Sequence, residues 1–155
     1  MEISQRSVTL FDADVLLSWR NDPSARDLSV NSEKISSIEH LQWFSARLKR
    51  IRLEPFFLFE VNQKVVGMSR LDSIPDDTGK YEISILVDPN QRGGGIGRQI
   101  LKMTCESFFS IYGDKMITAK VHKKNIISQK LFIGAGFMLI NSVSDFLSFE
   151  KSYKI

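Results

Sequence analysis

Four glycines in five positions, Gly93, Gly94, Gly95 and Gly97, interrupt a chain otherwise patterned as ordinary strands and helices. They lie in Asp88-Pro89-Asn90-Gln91-Arg92-Gly93-Gly94-Gly95-Ile96-Gly97-Arg98, between a strand-like run, Tyr81 to Val87, and a helix-like run, Gly97 to Tyr112. Glycines let a backbone approach a ligand closely and turn several N–H groups toward it. A helix start adds unpaired N–H groups and the positive end of the helix dipole. Together these make an anion site suited to a phosphate or pyrophosphate. Two common glycine loops fail on spacing. A dinucleotide loop, G-x-G-x-x-G, would need glycine where Arg98 or Ile100 stands. A triphosphate P-loop would need lysine and then a hydroxyl residue after Gly97, where Arg98 and Gln99 stand. The spacing that does fit is R-x-x-G-x-G, carried by Arg92, Gly95 and Gly97.

With 155 residues, 43% hydrophobic and 25% charged, the chain is read as one globular domain with a sizeable core. The start, Met1-Glu2-Ile3-Ser4-Gln5-Arg6, lacks a signal-peptide layout, and no apolar run has the length of a membrane span. One cysteine, Cys105, excludes an intrachain disulfide and suits a small apolar filler in a cytoplasmic protein. The net charge of +3 is mild and its basic residues are scattered, so nothing points to nucleic acid or a membrane as partner. Lys120, Lys123, Lys124 and Lys130 are the densest basic group, a solvated surface or an aid to an anionic ligand.

Along the chain, Val8 to Phe11 reads as a first strand, and Asp12 as the N-cap of a helix through Arg20. Pro23 opens a short helical segment over Ser24 to Val30. Ser36-Ser37-Ile38-Glu39 has capping-box spacing before a helix over Ile38 to Lys49. Phe56 to Val61 and Lys64 to Leu71 form a hairpin closed tightly at Asn62-Gln63-Lys64. Asp72 to Gly79 reads as a loop, Tyr81 to Val87 as a strand, and Gly113 as the stop of the helix after the glycine loop. Met116 to Val121 is a strand, Asn125 to Ala135 a helix, and Phe137 to Ile140 and Asp145 to Lys151 the last strands. The expected class is α/β (α+β), with a mixed, mostly antiparallel sheet flanked by helices.

Two blocks carry a family resemblance. The first is the strand, the Asp88-Pro89 turn and the R-x-x-G-x-G loop. The second runs from Asn125 through Ser128, Leu131 and Phe132 to Gly136-Phe137, and resembles an N-x-x-S/A-x-x-L-Y/F block followed by Gly-Phe. Both blocks, with the helix and strand between them, resemble the GNAT N-acetyltransferase superfamily over most of the chain. The resemblance implies the GNAT fold, acetyl-CoA as co-substrate, no metal, and acetyl transfer to an amine. It implies that the backbone of Leu86 and Val87 pairs with the pantetheine arm as an added strand would. It gives the pyrophosphate to Arg92, Gly93, Gly94, Gly95, Ile96, Gly97 and Arg98. Asn125 and Ser128 would reach the pantetheine or thiol from the other side of a split between strands. Glu82 stands where many members place a base, and alternation puts it on the face of Ser84 and Leu86; a solvated strand residue is the other reading. Many members donate a proton from a tyrosine where this chain has Phe132, so Ser128, Tyr81 or water must serve, or the thiolate leaves unprotonated.

The amino-terminal half is expected to shape the acceptor site. Trp19-Arg20-Asn21-Asp22-Pro23, Arg26, Ser29, and Glu39-His40 followed by Trp43-Phe44 resemble the GNAT enzymes that acetylate the 4-amino group of UDP-linked 4-amino-4,6-dideoxy sugars in the pseudaminic-acid pathway. Arginines suit a diphosphate and aromatic rings suit a base or sugar face. Arg20, Asn21, His40 and Trp43 are the candidate substrate residues; Trp19, Trp43 and Phe44 also fit plain helix core. The rival acceptors are the N-terminal amines of ribosomal proteins, and the rival class is a CoA-binding module without turnover. A homodimer through the last strands would be unsurprising.

Overall fold

Between Phe56 and Val87 the chain carries three successive extended runs rich in apolar and β-branched residues, and three antiparallel strands result. The computed structural model describes residues 2–153. Its elements are β1 (Ser4–Ser7), α1 (Ala13–Arg20), α2 (Pro23–Asp27), α3 (Ser37–Leu48), β2 (Phe56–Val61), β3 (Lys64–Ile74), β4 (Asp77–Val87), α4 (Ile96–Ile111), β5 (Met116–His122), α5 (Ile126–Gly134), β6 (Met138–Val143) and β7 (Phe146–Ser152). The strands form one seven-stranded sheet in the order β1-β2-β3-β4-β5-β7-β6. Every neighbouring pair is antiparallel except β4 and β5, which run parallel. This is the mixed, mostly antiparallel architecture expected from the sequence.

Three local expectations are corrected. The first strand is Ser4–Ser7, not Val8 to Phe11, and Leu10–Asp12 is a 3-10 turn that leaves Phe11 99% exposed. Polar interactions override the apolar run there. Asp12 accepts the Thr9 N–H at 2.8 Å and both guanidinium nitrogens of Arg6 at 2.9 Å. Asp12 is therefore a clamp on the turn rather than a side-chain N-cap of α1. Burial pushes its carboxyl pKa up, but Arg6 and Thr9 outweigh that and leave it below the ordinary value. Secondly, Asp72 to Gly79 is not a loop. β3 and β4 continue through it and close at Ile74↔Asp77 around Pro75 and Asp76, with a register shift that leaves Thr78, Gly79 and Lys80 without a partner on β3. Thirdly, the segment after Pro23 is helical only to Asp27. Gly113 does follow the C-cap of α4, but without a left-handed backbone. At Asn62 and Gln63 the hairpin turn is left-handed at both residues, as a two-residue type I′ turn requires.

The two faces of the sheet carry different layers. Val8, Leu16, Trp19, Phe44, Phe56, Leu58 and Met68 pack α1 and α3 on one face. On the other, α4 lies across the middle of the sheet. Its Ile96 and Ile100 meet Phe59 and Val66, while Leu101, Cys105, Phe108 and Phe109 join Leu71, Ile83, Ile117, Phe132 and Phe149. Gly67 sets the approach of α4 to β3. A Cβ there would stand 2.5 Å from Ile100 Cδ1 and 2.8 Å from the Leu86 carbonyl oxygen. The first atom belongs to a flexible side chain, but the second is backbone of the adjoining strand. Gly67→Ala is therefore expected to cost about 2–3 kcal/mol by overpacking, lowering the melting temperature by roughly 4–12 °C. Thermal unfolding followed by circular dichroism measures it; an unchanged midpoint would contradict this packing.

Candidate functional site

β4 and β5 pair only at Lys80↔Met116, Tyr81↔Ile117 and Glu82↔Thr118. Beyond Glu82 and Thr118 they diverge, β4 staying with β3 and β5 with β7. The sheet thus opens into a V at the carboxyl ends of its two parallel strands, the place where α/β sheets bind ligands. The β3–β4 register has no shift from Gly67↔Val87 to Ser73↔Tyr81, and the Asp88 N–H bonds to the Val66 carbonyl at 2.8 Å. Counting back from Asp88, the backbone groups of Leu86, Ser84 and Glu82 turn toward β3. Those of Val87, Ile85 and Ile83 turn into the gap. Of the sequence candidates, Val87 thus offers backbone to the gap, whereas Leu86 sends its side chain into the core under α1 and α3. Ile83 and Ile85 were not singled out by the sequence; their signal was the parity of the ladder, which needs the register of β3.

The glycine loop leaves the end of β4 at the mouth of this V. Gly93 and Gly95 have φ of +86° and +81°, and Gly95 is the N-cap of α4. Nothing lies within 4 Å of a Cβ built at Gly93, Gly94 or Gly95, so positive φ at two of them, not crowding, calls for glycine. The side chain of Ile96 is core, and Arg98 is exposed. A Cβ at Gly97 would lie 3.7 Å from both Val87 and Leu131, so the first turn of α4 touches both arms of the V. Arg92 reaches sideways, donating to Ser24 Oγ at 2.6 Å and standing 3.8 Å from Asp22, and so ties the loop to α2.

On the opposite arm, Asn125 is the N-cap of α5, its Oδ1 accepting the Ser128 N–H at 3.1 Å. The α5 helix packs on the α4 side of the sheet through Leu131 and Phe132. Glu82 belongs to the other face: Tyr81 and Ile83 fill the α4-side core, so Glu82, Ser84 and Leu86 project away from it. Ser128 and Glu82 are therefore not brought together directly; the gap between the strands is the passage between them. Phe132 is 6% exposed and packs edge-on to Phe137 at 5.0 Å and along Phe149 at 6.3 Å. Cys105 is buried, and burial pushes its thiol up to about 11, which leaves it no nucleophile.

On the Glu82 face, a cleft of about 580 Å3 runs across the point of divergence. Asp72, Asp77, Lys80, Glu82, Lys120 and Glu150 supply its charges, with Lys120 3.9 Å from Glu82. Beside it, alternation on β3 sends Met68, Arg70 and Asp72 to this same face. Arg70 donates to Asp72 at 2.8 Å and lies over the Trp43 ring at 4.9 Å. Arg47 is wholly buried and joins α3 to the strands: it donates to Asp72 (2.7 Å) and to the carbonyls of Glu54 (2.6 Å), Leu71 (3.0 Å) and Pro55 (3.3 Å). Arg47 and Arg70 went unnoticed in the sequence because a charge inside an apolar helix or strand pattern reads as solvated surface.

The sequence-predicted substrate residues gather around this cluster. His40 is buried beside Trp43 and Phe44, with ring centroids 5.8 and 5.7 Å away. Trp43 is 40% exposed. Asn21 spends both ends of its amide on Ile35, donating to its carbonyl at 2.7 Å and accepting its N–H at 2.9 Å, which holds the segment before α3. Arg20 donates to the Asn31 carbonyl at 2.8 Å. Among the described residues, no three His, Cys, Asp or Glu side chains cluster as metal ligands, and no helix is long and apolar enough to cross a membrane.

Burial lowers the His40 pKa from its ordinary 6.5, and the Arg70 charge lowers it further against a small opposing pull from Asp14. The ring stays neutral in the fold. Its contribution to stability is complete above pH 6.5 and is lost as pH falls toward the depressed folded value. An NMR titration is expected to place His40 below 6.5, and Arg70→Gln to move its midpoint up; a midpoint unmoved by that change would separate the two residues.

These features define a class, and the comparisons with known proteins agree with it. The family model of the acetyltransferase (GNAT) domain matches residues 5–138, and the chain belongs to that family. It is by class an acetyltransferase of the GNAT type. No curated protein matches the sequence. The fold is similar to a putative acetyltransferase of Salmonella typhimurium solved with its cofactor acetyl-CoA, at 20% identity and TM-score 0.80, covering 98% of this chain and 94% of that one. It is similar to a spermidine N-acetyltransferase of Vibrio cholerae in complex with CoA and spermine, at 18% identity and TM-score 0.83, covering 96% and 94%. A ribosomal-protein-alanine N-acetyltransferase of Brucella melitensis is similar at 22% identity and TM-score 0.80, covering 96% and 99%.

Proposed function

We propose that this protein transfers the acetyl group of acetyl-CoA to a primary amine entering from the Glu82 face of the open V. The observation that carries this reading is the divergence of β4 from β5 after Glu82↔Thr118, with the glycine loop and the start of α5 at its mouth. The residues present fit the co-substrate. The gap-facing backbone of Ile85 and Val87 suits the amide-bearing pantetheine arm. The N–H groups between Arg92 and Arg98 suit the pyrophosphate, charge-assisted bonds contributing roughly 1.5–3 kcal/mol each. Three of them supply a large part of the ~8 kcal/mol of micromolar binding. Ser128, in the first turn of α5, meets the thiol end.

The co-substrate supplies an activated thioester; the chain supplies orientation and proton handling. Glu82, on the acceptor face, takes the proton of the incoming ammonium directly or through water, leaving a neutral amine to attack. A gap-facing backbone N–H of β4 polarises the acetyl carbonyl. The finer reading is that the acceptor is the 4-amino group of a UDP-linked 4-amino-4,6-dideoxy sugar, the basis for it being Arg20, His40 and the half-exposed Trp43 gathered on that face. The work is done in the cytoplasm, and the outer edge of β6, all six of whose residues are exposed, is where a second copy would pair.

Thiol release from acetyl-CoA tests this against a UDP-linked 4-amino-4,6-dideoxyhexose and ribosomal-protein N-terminal peptides. Turnover of the sugar alone is expected. Turnover of a peptide alone keeps the chemistry and discards the sugar, and CoA binding with no turnover of any amine discards the enzyme. Glu82→Gln is expected to lower kcat at least tenfold with CoA affinity unchanged, and Gly95→Val to weaken CoA at least tenfold, both read by steady-state kinetics and calorimetry.

A further inference from the structure

We propose that Arg20, Arg26 and Arg70 form a binding site for an anionic group, of phosphate or diphosphate type, carried by the acceptor amine. The proposal rests on reading the Glu82 face as the acceptor side, and it names what that side selects. Nη1 of Arg20 and Nε of Arg26 are both shut off from solvent, and neither has a hydrogen-bond partner in the protein. Buried guanidinium nitrogens ordinarily find acceptors. Among the described residues no carboxylate lies within ion-pair distance of either: Asp22 stands against Arg92, while Asp72 is shared by Arg47 and Arg70. The three arginines also feel one another. The Arg20 pKa is lowered from its ordinary value, first by burial and then by the charges of Arg70 and Arg26. Positive charge is thus concentrated, partly desolvated and short of counter-charge in one place.

Geometry prepares the cluster to hold an anion by two of its oxygens. The Asn31 carbonyl fixes one nitrogen of Arg20, and the Trp43 ring backs the plane of Arg70. Held this way, a guanidinium presents its edge, which matches the oxygens of a phosphate. Arg70 is the cross-strand partner of Ser84, two residues along β4 from Glu82, a separation of roughly 7 Å. The other side of Glu82 has the opposite character. In the cleft, Asp72 being spent on the arginines, Asp77, Glu82 and Glu150 still outnumber Lys80 and Lys120, which favours an ammonium. An acceptor with an amine at one end and an anion at the other meets both poles. A polyamine would bring positive charge to the arginines and be repelled.

Two measurements decide it. In the first, protein saturated with CoA, so that the glycine loop is filled, is titrated with inorganic pyrophosphate by calorimetry. One equivalent is expected to bind, at least tenfold more weakly in Arg26→Gln and Arg20→Gln, with CoA affinity unchanged. Arg26 makes no side-chain hydrogen bond in the fold, so Arg26→Gln keeps the test open should Arg20→Gln misfold. No binding, or equal binding by the variants, overturns the proposal. In the second, thiol release is compared for 2-aminoethyl phosphate, ethylamine and spermidine. The phosphate-bearing amine is expected to lead by at least tenfold in kcat/KM, with the lead lost in Arg26→Gln. Arginine-dependent pyrophosphate binding without that lead marks a free-anion site and overturns the assignment to the acceptor. Failure of CoA to bind at all overturns the acetyltransferase reading of the V, while the arginine dependence of pyrophosphate binding still decides the cluster.

Discussion

The separation of two parallel strands after three paired residues is the constraint on which the rest of the molecule turns. Every strand in this sheet could keep its neighbours only if β4 and β5 ran together to their ends. They do not, and the backbone groups of Ile83, Ile85 and Val87 are left facing a gap. Exposed strand edges are costly and prone to pairing with whatever extended chain arrives. Here the edge is internal and narrow, flanked by two helix starts, which on the proposed reading suits a thin amide-bearing chain rather than another sheet. A structural liability at an outer edge becomes a binding groove at an inner one.

A split sheet needs something to hold its arms at a fixed angle, and α4 does this. Its first turn packs on β2 and β3 through Ile96 and Ile100; its later turns pack under β4, β5 and β7 through Leu101, Cys105 and Phe108. One rigid helix thus lies beneath both arms. Gly67 sets how close it comes to β3. Seen this way the glycines of the chain divide into two jobs. Gly93 and Gly95 supply backbone angles that side chains resist, whereas Gly67 supplies closeness. Only the first job is visible in a motif.

This explains what could be read in the sequence. The strand–loop–helix junction and the Asn125–Phe137 block were legible because local chemistry dictates them: glycine angles, an Asn cap, and apolar periodicity. The turn at Leu10–Asp12 was misread because an apolar run signals a strand, and the force that ended it is a side-chain pair between Arg6 and Asp12. Asp72 to Gly79 was misread because Pro75, Asp76 and Gly79 announce a loop, yet the two strands run on through them and close at Ile74↔Asp77 with a bulge. On the acceptor side, single residues such as Arg20 and His40 could be picked out, but their neighbour Arg70 could not. Its position on the face of Glu82 follows from strand parity and register, and a cluster made by α1, α2 and β3 exists only once the chain has folded.

Phe132 bears on how the proposed chemistry divides its labour. Its ring is locked between Phe137 and Phe149 and gives no proton. The two proton transfers of acetyl transfer from a thioester are not equally demanding. A thiol ionises near pH ~8.5, so a thiolate departs at neutral pH with little help. An alkyl ammonium ionises about two units higher, near ~10.4, and must lose its proton before it can attack. The step that needs the protein is therefore removal of a proton on the acceptor face. That face is where the structure is most elaborately charged, with Glu82 between an acidic cleft and three arginines. A phenyl ring in the core of the other face costs the proposed reaction little, because that reaction assigns its harder proton transfer to the Glu82 side of the sheet.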